Sequence, residues 1–171
     1  MKGDPVSCGF TVAVDDREKL PYSFSTLRAN ARQGGGLLVV PTARKRLALG
    51  DYSIEGHEDA VAIERKSLDD LDQSLPRRVN FVGRLERMNE LKFAAVVIEA
   101  TWLQIASEPP SCSRMNPLSA VRSLFAWTVR YPRVPWIPAG SRAAGEAITY
   151  RLLEAFHRDH IKCLRIQPTD C

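Results

Sequence analysis

The sequence predicts an α/β fold in which a central mixed β-sheet is flanked by helices. Two short apolar runs, residues 10–14 and 93–98, have the composition of buried strands. Residues 52–54 and 61–63 alternate apolar and polar side chains on either side of a turn-like segment, which is typical of an antiparallel hairpin. Because segments with helical spacing of apolar residues alternate with these strands, we expect a sandwich around one sheet.

Length and composition are those of one ordinary globular domain. The 171 residues are enough to bury a sizeable core, and we expect residues 1–171 to form a single domain. Apolar residues at 44% and charged residues at 26% argue against disorder. The net charge of +4 favours an anionic partner, although only modestly. The sequence has neither an apolar run of the roughly 18 residues that span a membrane nor a signal peptide, so we expect a soluble, intracellular protein.

Cysteine and histidine spacing does not predict a metal or disulfide framework. The four cysteines are scattered without paired spacing, at Cys8, Cys112, Cys163 and Cys171. His157, His160 and Cys163 recur every three residues, but this spacing matches no standard zinc pattern. A polar helix end is the better interpretation of that cluster.

The first half of the chain contains one predicted helix between two strands. Residues 22–32 place Phe24, Leu27 and Ala31 at helical spacing, and the glycines at 34–36 would end that helix. Residues 37–40 are predicted as a second strand, closed by Pro41.

Helices dominate the second half. Ser67 is a predicted N-cap for a helix that Pro76 ends. The helix over residues 77–92 would bury Phe81, Leu85, Met88 and Leu91. The helix over residues 118–129 would face the core with Leu118, Val121, Phe125 and Thr128. Residues 134–138 contain two prolines and are predicted as an edge strand. Ser141 would cap a last helix, to about residue 158, with an apolar face of Ala144, Ile148, Leu152 and Phe156.

The last two predicted helices have more apolar residues than one buried face requires. The additional residues are Leu124, Trp127, Tyr150 and Leu153. They could form a homodimer interface or additional core, and additional core is the better interpretation.

The hairpin brings two acids together. With residues 56–59 as its loop, Glu55 pairs with Ala60 and Asp51 lies directly across from Glu64. Opposed residues share a face, with Cβ atoms about 4.5–5.5 Å apart. Both carboxylates could therefore hold one hard cation, which would also relieve their mutual repulsion.

Lys66 adds a base to this pair. Because side chains alternate along a strand, Glu64 and Lys66 point to one face, and Ile63 and Arg65 to the other. Lys66 could meet a phosphoryl oxygen or orient an attacking water beside a cation at Asp51. The composition indicates metal-dependent phosphate chemistry; the alternative is a polar hairpin surface.

Further charges lie near the hairpin in sequence. Residues 15–18 follow the first strand, at the end where α/β folds hold functional groups, although a solvated turn explains them equally well. A basic stretch without acids between its members would hold a polyanion over the hairpin, or would only solubilise the chain: Arg28, Arg32, Arg44, Lys45 and Arg46. Asp70 lies three residues after Ser67, so helix capping is an alternative role for it.

Three of these segments resemble a known family. The sequence contains Val14-Asp15-Asp16-Arg17-Glu18, then Gly50-Asp51-Tyr52, then Glu64-Arg65-Lys66 with Asp70. In this order they resemble the VDxRE, GDY and ERKxxxD pattern of the nuclease domain of the XPF/Mus group of structure-specific DNA endonucleases. The similarity covers about nine-tenths of the chain, in the manner of stand-alone prokaryotic or phage members.

The resemblance implies a restriction-endonuclease-like fold of the PD-(D/E)xK class. It implies that Asp51, Glu64 and Asp15 are metal ligands, and that Lys66 is the catalytic lysine. Arg17, Arg65 and Asp70 would complete the acidic and phosphate-binding surroundings. An arginine that the family has after ERKxxxD is best matched by Arg78, with Arg77 also open. The expected DNA-binding residues are Arg44, Lys45, Arg46, Arg77, Arg78, Arg84 and Arg87.

The implied function is a Mg²⁺- or Mn²⁺-dependent DNA endonuclease acting on branched, flapped or nicked DNA in repair or recombination. The alternative is a catalytically silent DNA-binding or scaffold subunit, against which the intact GDY and ERKxxxD segments argue. Larger members carry helix-hairpin-helix or helicase-like domains, and neither fits in this chain. We therefore expect a homodimer or heterodimer, a partner that supplies recognition of the DNA structure, and a cytoplasmic or nucleoid location for a prokaryotic or phage protein.

Overall fold

A six-stranded mixed β-sheet in the order β4-β2-β5-β6-β7-β8 organises the computed structural model, which describes residues 4–30, 34–74, 78–107 and 116–161. The strands are β1 Val6–Ser7, β2 Val12–Asp15, β3 Leu38–Val39, β4 Thr42–Lys45, β5 Tyr52–Ile54, β6 Val61–Lys66, β7 Phe93–Ile98 and β8 Trp136–Pro138. β2 is parallel to β4 and antiparallel to β5, β5 is antiparallel to β6, and β6, β7 and β8 are parallel. β1 and β3 form a separate parallel pair.

Five α-helices lie on the two faces of the sheet. They are α1 Leu68–Ser74, α2 Arg78–Met88, α3 Trp102–Ser107, α4 Pro117–Arg130 and α5 Arg142–Phe156, which continues into a π-helical turn over His157–Ile161. α5 packs on one face with Val14 and Ile63, and α2 and α4 pack on the other with Ala62 and Val96. This arrangement confirms the predicted α/β sandwich. None of the described helices is both long and apolar enough to cross a membrane.

The hairpin register is the predicted one. Tyr52 pairs with Ile63, so counting outward places Asp51 opposite Glu64. β8 lies at the edge of the sheet, as its prolines indicated. The predicted core face of α2 is also confirmed, because Phe81, Leu85 and Met88 are buried. The helix ends at Met88 rather than at residue 92, and Leu91 is buried in the turn that follows it.

The predicted helix over residues 22–32 is wrong for the residues that are described there. Residues 22–30 form an extended and turning segment in which Phe24 has a φ of +56°. Its polar backbone is bound from distant elements: the Phe24 N–H donates to the buried carboxylate of Glu146, and the Tyr22 N–H donates to Tyr52 Oη at 2.8 Å. Tertiary contacts therefore replace the local hydrogen bonds that a helix would have made.

The strand β4 lies in the stretch that sequence analysis treated only as basic. Its side chains are mostly exposed because it is an edge strand, so it lacks the apolar alternation that predicts strands. The strand predicted over residues 37–40 is shorter, since only β3 pairs with β1, and Leu37 makes an isolated antiparallel bridge with Arg28.

α4 presents a different face to the core from the predicted one. It buries Ala120, Leu124 and Trp127, whereas Leu118 and Phe125 are exposed. In α5 the predicted Phe156 is buried and Ile148 and Leu152 pack against the core, and Tyr150 and Leu153 are buried as well. Leu124, Trp127, Tyr150 and Leu153 therefore belong to the core, which confirms the interpretation of these residues as additional core.

The histidine cluster is a polar helix end, as interpreted. His157 and His160 lie in the π-helical turn, where the His160 ring stacks on Phe156. Cys8 is a buried free cysteine, and the other three cysteines fall outside the described residues.

Candidate active site

Gly50 places the Asp51 backbone against β6. Its φ is +71°, and a Cβ atom on it would lie 2.9 Å from the carbonyl oxygen of Ile63. Both conditions disfavour any residue with a side chain. The close approach lets the Asp51 N–H donate to the same carbonyl at 2.8 Å.

Asp51 and Glu64 lie side by side on β5 and β6. The Glu64 side chain is only 1% exposed, and the Asp51 carboxylate accepts a hydrogen bond from the backbone N–H of Arg65 at 2.7 Å. Burial raises the pKa of Asp51 well above its usual range, and the charge of Glu64 raises it further. Asp51 therefore lacks the positive charge that would keep its carboxylate ionised at this depth.

Two cationic side chains contact Glu64. The Lys66 Nζ lies 3.0 Å from Glu64 Oε1 and 5.0 Å from the centroid of the Phe81 ring. Arg84, on α2, donates through Nη1 to Glu64 Oε1 and Oε2 at 2.7 and 2.9 Å. The predicted pairing of Glu64 with Lys66 on one face is present, and a third residue from a different element joins it.

The face of β6 that carries Glu64 is not an outer surface. Ala62, on the same face, is fully buried in the cluster that includes Leu85 of α2 and Leu71 of α1. The alternative of a solvent-facing polar hairpin is therefore wrong, because helices cover this side of the sheet.

Asp15 is held by Arg17. The backbone N–H and Nε of Arg17 donate to Asp15 Oδ1 at 2.8 and 2.9 Å, and its Nη2 binds Oδ2. Burial alone would raise the pKa of Asp15, but the hydrogen bonds from Arg17 outweigh it and lower the pKa to about 2. Within the part of the chain that the structure describes, no three His, Cys, Asp or Glu side chains are grouped to hold a metal ion. Asp15 therefore does not form a three-carboxylate cluster with Asp51 and Glu64 here.

The Arg65 guanidinium points to the opposite face of the sheet. Its Nε and Nη2 each donate to Glu99 at 2.8 Å, and Glu99 also accepts from Tyr22 Oη at 2.9 Å and from Arg142 at 3.2 Å. Only the backbone N–H of Arg65 contacts Asp51. Sequence reasoning did not select Glu99, although a charge directly after the wholly apolar β7 was an available signal.

Ser67 caps α1, and Asp70 completes the cap. The Asp70 N–H donates to Ser67 Oγ at 3.1 Å, and the Ser67 N–H donates to Asp70 Oδ2 at 3.4 Å. This reciprocal pair is the predicted capping box. Asp70 also lines the cavity above Glu64, so its two predicted roles are compatible.

A cavity of about 870 Å³ opens over the two acids. Besides Lys66, four cationic residues that do not belong to β6 line it: Arg17, Lys19, Arg84 and Arg87. Lys19 was not among the predicted site residues, and its place beside the charged run 15–18 was the only signal for it. Arg84 and Arg87 are the predicted DNA-binding residues that the structure brings to this cavity.

The other predicted DNA-binding residues are placed elsewhere or are not described. Arg44 donates to the carbonyl oxygens of Asp16 and Glu18 at 3.0 and 2.9 Å. Lys45 pairs with Glu58 at 2.6 Å and Arg46 with Asp16 at 3.0 Å. None of these three lines the cavity. Arg32 and Arg77 lie outside the described residues, as does the side chain of Arg78.

The acids fit a hard divalent cation. Mg²⁺ and Mn²⁺ prefer carboxylate oxygens, which Asp51 and Glu64 offer from neighbouring strands. The raised pKa of Asp51 marks a carboxylate that a cation would help to ionise. The two side chains also face an open cavity rather than a sealed core.

Comparisons with known proteins identify the family and the fold of this chain. A family model described as the ERCC4 domain matches residues 14–152. The structure of XPF from Aeropyrum pernix is similar, with a TM-score of 0.60 and 21% sequence identity, covering 91% of this chain and 68% of that chain. A second structure, XPF from Aeropyrum pernix in complex with DNA, gives a TM-score of 0.57 and 20% identity over 94% of this chain and 68% of that chain. These likenesses confirm the predicted fold. A search of curated proteins finds no match.

Proposed function

Because the chain belongs to the family of the ERCC4 domain, the XPF-type nuclease domain, we propose that it is a divalent-metal-dependent DNA endonuclease. The observation that carries the proposal is the opposed pair of Asp51 and Glu64 beneath a cavity that Lys66, Arg84 and Arg87 also line. Binding of DNA alone would need only the cationic rim, whereas buried like charges are costly and serve a purpose when a cation joins them.

Asp51 and Glu64 would hold the cation. When bound, Mg²⁺ or Mn²⁺ supplies a nucleophilic water at neutral pH and neutralises charge on the phosphate. Lys66, oriented by Glu64 and by the Phe81 ring, donates to a phosphoryl oxygen as its negative charge grows. Arg17, Arg84 and Arg87 surround the cavity and would hold the DNA backbone. Asp15 and Asp70 line the same cavity and stay predicted members of the site.

The substrate is proposed to be DNA with a branch, flap or nick, as processed in repair or recombination. One structure of similar fold is a complex with DNA, which supports DNA as the partner. A catalytically silent DNA-binding or scaffold subunit is the second candidate. The presence of Asp51, Glu64 and Lys66 in one cluster favours the nuclease.

The deciding experiment is incubation of the protein with forked, flapped and nicked DNA in Mg²⁺ or Mn²⁺. We expect cleavage by the wild type and by Asp69→Asn, which changes an exposed acid, and none by Asp51→Asn. Binding without cleavage by the wild type on every substrate would contradict the nuclease and support the scaffold.

A homodimer or heterodimer stays a prediction. The exposed apolar side chains on α3 and α4 are the surface that a second copy could bury, chiefly Leu103, Phe125 and Val129. Light scattering on Phe125→Glu beside the wild type measures the effect, and an unchanged molar mass would exclude this surface. A further partner that recognises the DNA structure also stays a prediction.

A further inference from the structure

Two cationic groups already contact Glu64. Asp51 and Glu64 bring two carboxylates, and Lys66 and Arg84 bring two cationic groups that both contact Glu64. A divalent cation added to this set would lie within a few ångströms of two positive groups. Like charges at such distances repel strongly where water is scarce. One of the two groups must therefore move for a cation to bind well.

Arg84 stands where a cation would bind. One nitrogen of Arg84, Nη1, lies 2.7 Å from Glu64 Oε1 and 2.9 Å from Oε2, so it contacts both oxygens of the carboxylate. A metal ion held by the same two oxygens would need the same side of the carboxylate, because Mg²⁺ and Ca²⁺ bind oxygen at shorter distances of about 2.0–2.6 Å. The guanidinium and a cation held by both oxygens exclude each other.

Arg84 is the group that can leave. Its side chain is 43% exposed, whereas that of Lys66 is 13% exposed and packs over Phe81. Arg84 projects from α2 into the lining of the cavity. An exposed side chain beside open space can move away from Glu64 more easily than the less exposed Lys66.

We propose that Arg84 is a displaceable counterion: it holds Glu64 in the absence of metal, and metal binding releases it to bind a DNA phosphate. The inference rests on the proposed nuclease function. It makes Arg84 a positioning residue for Glu64 in one state and a phosphate-binding residue in the other. Metal and DNA binding are then coupled through one side chain, and by linkage each raises the affinity for the other by the same factor.

Mn²⁺ titration calorimetry without DNA tests the first half. Arg84→Gln should bind Mn²⁺ at least about fivefold more tightly than the wild type, the lower end of ordinary coupling. The matched control is Arg87→Gln, which removes the same charge from the same cavity but is not among the Glu64 contacts that the structure describes. It should change the affinity less than about twofold, since water screens exposed charges. Equal gains in both variants, weaker binding by Arg84→Gln, or no binding by either protein would overturn the proposal.

A second measurement uses the wild type, so that it does not depend on how a variant folds. Arginine side-chain ¹⁵N resonances, assigned with Arg84→Lys and Arg87→Lys, are followed during Mg²⁺ addition. The Arg84 signals should shift and their N–H protons should exchange faster, with smaller changes for Arg87. Unchanged Arg84 signals at saturating Mg²⁺ would overturn the proposal.

DNA affinity tests the second half. Fluorescence anisotropy with Ca²⁺, a hard cation with the same oxygen preference, should show tighter DNA binding by the wild type and by Arg87→Gln than without the ion. Arg84→Gln should lose this enhancement, and an enhancement that persists would overturn the coupling. All three readouts are independent of cleavage. A protein that shows the coupling but cuts no DNA would contradict the proposed function, and one that cuts DNA without the coupling would contradict this inference alone.

Discussion

The Asp51 carboxylate accepts a hydrogen bond from the backbone N–H of Arg65, 2.7 Å away, so one strand orients the acid of the next. This bond lowers the pKa of Asp51, but by less than burial and the charge of Glu64 raise it. Protonation of Asp51 therefore favours the folded protein. The protonated carboxyl contributes fully to the free energy of unfolding below the pKa of an unfolded carboxyl. This contribution is lost as pH rises through the higher folded-state pKa.

We expect Asp51→Asn to stabilise the protein without metal at neutral and alkaline pH, and to flatten the decline of stability with rising pH. The decline lies between the ordinary carboxyl pKa, about 4, and the folded-state pKa of about 8, so thermal unfolding is followed by circular dichroism from about pH 4 to pH 9. Added Mg²⁺ or Mn²⁺ should stabilise the wild type, increasingly so as pH rises, and should leave Asp51→Asn unchanged. The control is Asp69→Asn, which should follow the wild type. A wild type whose stability without metal falls no more steeply than that of Asp51→Asn over this range would contradict the assignment.

Gly50→Ala should lower the free energy of unfolding by more than the cost of placing alanine at a positive φ. Gly50 and Gly56 have φ values of +71° and +80°, but only a Cβ at Gly50 would clash, with the Ile63 carbonyl. We expect about 1 kcal/mol for Gly56→Ala and about 3 kcal/mol or more for Gly50→Ala. Urea unfolding measures both, and equal losses would show that the clash relaxes.

Lys66→Met should remove cleavage while DNA binding persists. The ammonium is held against Glu64 at the cavity, and loss of one such donor lowers rates by roughly 10²–10³-fold. Lys45→Met is the matched control, because Lys45 pairs with Glu58 and lies outside the cavity. Single-turnover cleavage gives the comparison, and similar rates for the two variants would remove Lys66 from the mechanism.

The salt dependence of DNA binding should identify which arginines touch phosphate. Each contact contributes about −0.9 to the slope of log affinity against log salt. We expect Arg87→Gln to reduce the slope by about one unit and Arg46→Gln, which pairs with Asp16 outside the cavity, to leave it unchanged. A reduced slope for Arg46→Gln would place DNA across β4, as the sequence alone predicted.

Glu99→Gln should destabilise the protein although it lies behind the sheet. Arg65 is 8% exposed and pairs with Glu99, so the substitution leaves a buried cation with less compensation, at a cost of about 3–5 kcal/mol. The control is Glu86→Gln at an exposed pair with Arg130, which should cost less than about 1 kcal/mol. Denaturant unfolding distinguishes them. Equal small losses would mean that water reaches Arg65.

Local patterns were sufficient to predict the hairpin and its register. Alternating side chains and turn residues fixed which residue lies across from Asp51, and a continuous apolar run identified β7. The same patterns placed Glu64 and Lys66 on one face. These features depend on residues close in sequence, where period and turn chemistry are reliable guides.

The remaining features depend on distant contacts. Phe24 and Leu27 have helical spacing, yet the segment is extended because Glu146, on α5, binds the Phe24 N–H. Arg84 is 20 positions beyond Glu64, and nothing in the spacing indicates that α2 returns it to the carboxylate. The face of α4 was also mispredicted, because that helix has more apolar positions than one contact requires.

Because side chains alternate along β6, a change in the number of residues in this strand alters which side of the sheet each of its side chains faces. Glu64 and Lys66 belong to the cavity, and Arg65 between them belongs to the network of Glu99 on the other side. Deleting or inserting a single residue in β6 would exchange the two sides, turning Arg65 toward Asp51 and Glu64 toward Glu99. Related chains should therefore vary in length at the loop before β6 or beyond α1, and keep the strand itself free of insertions and deletions.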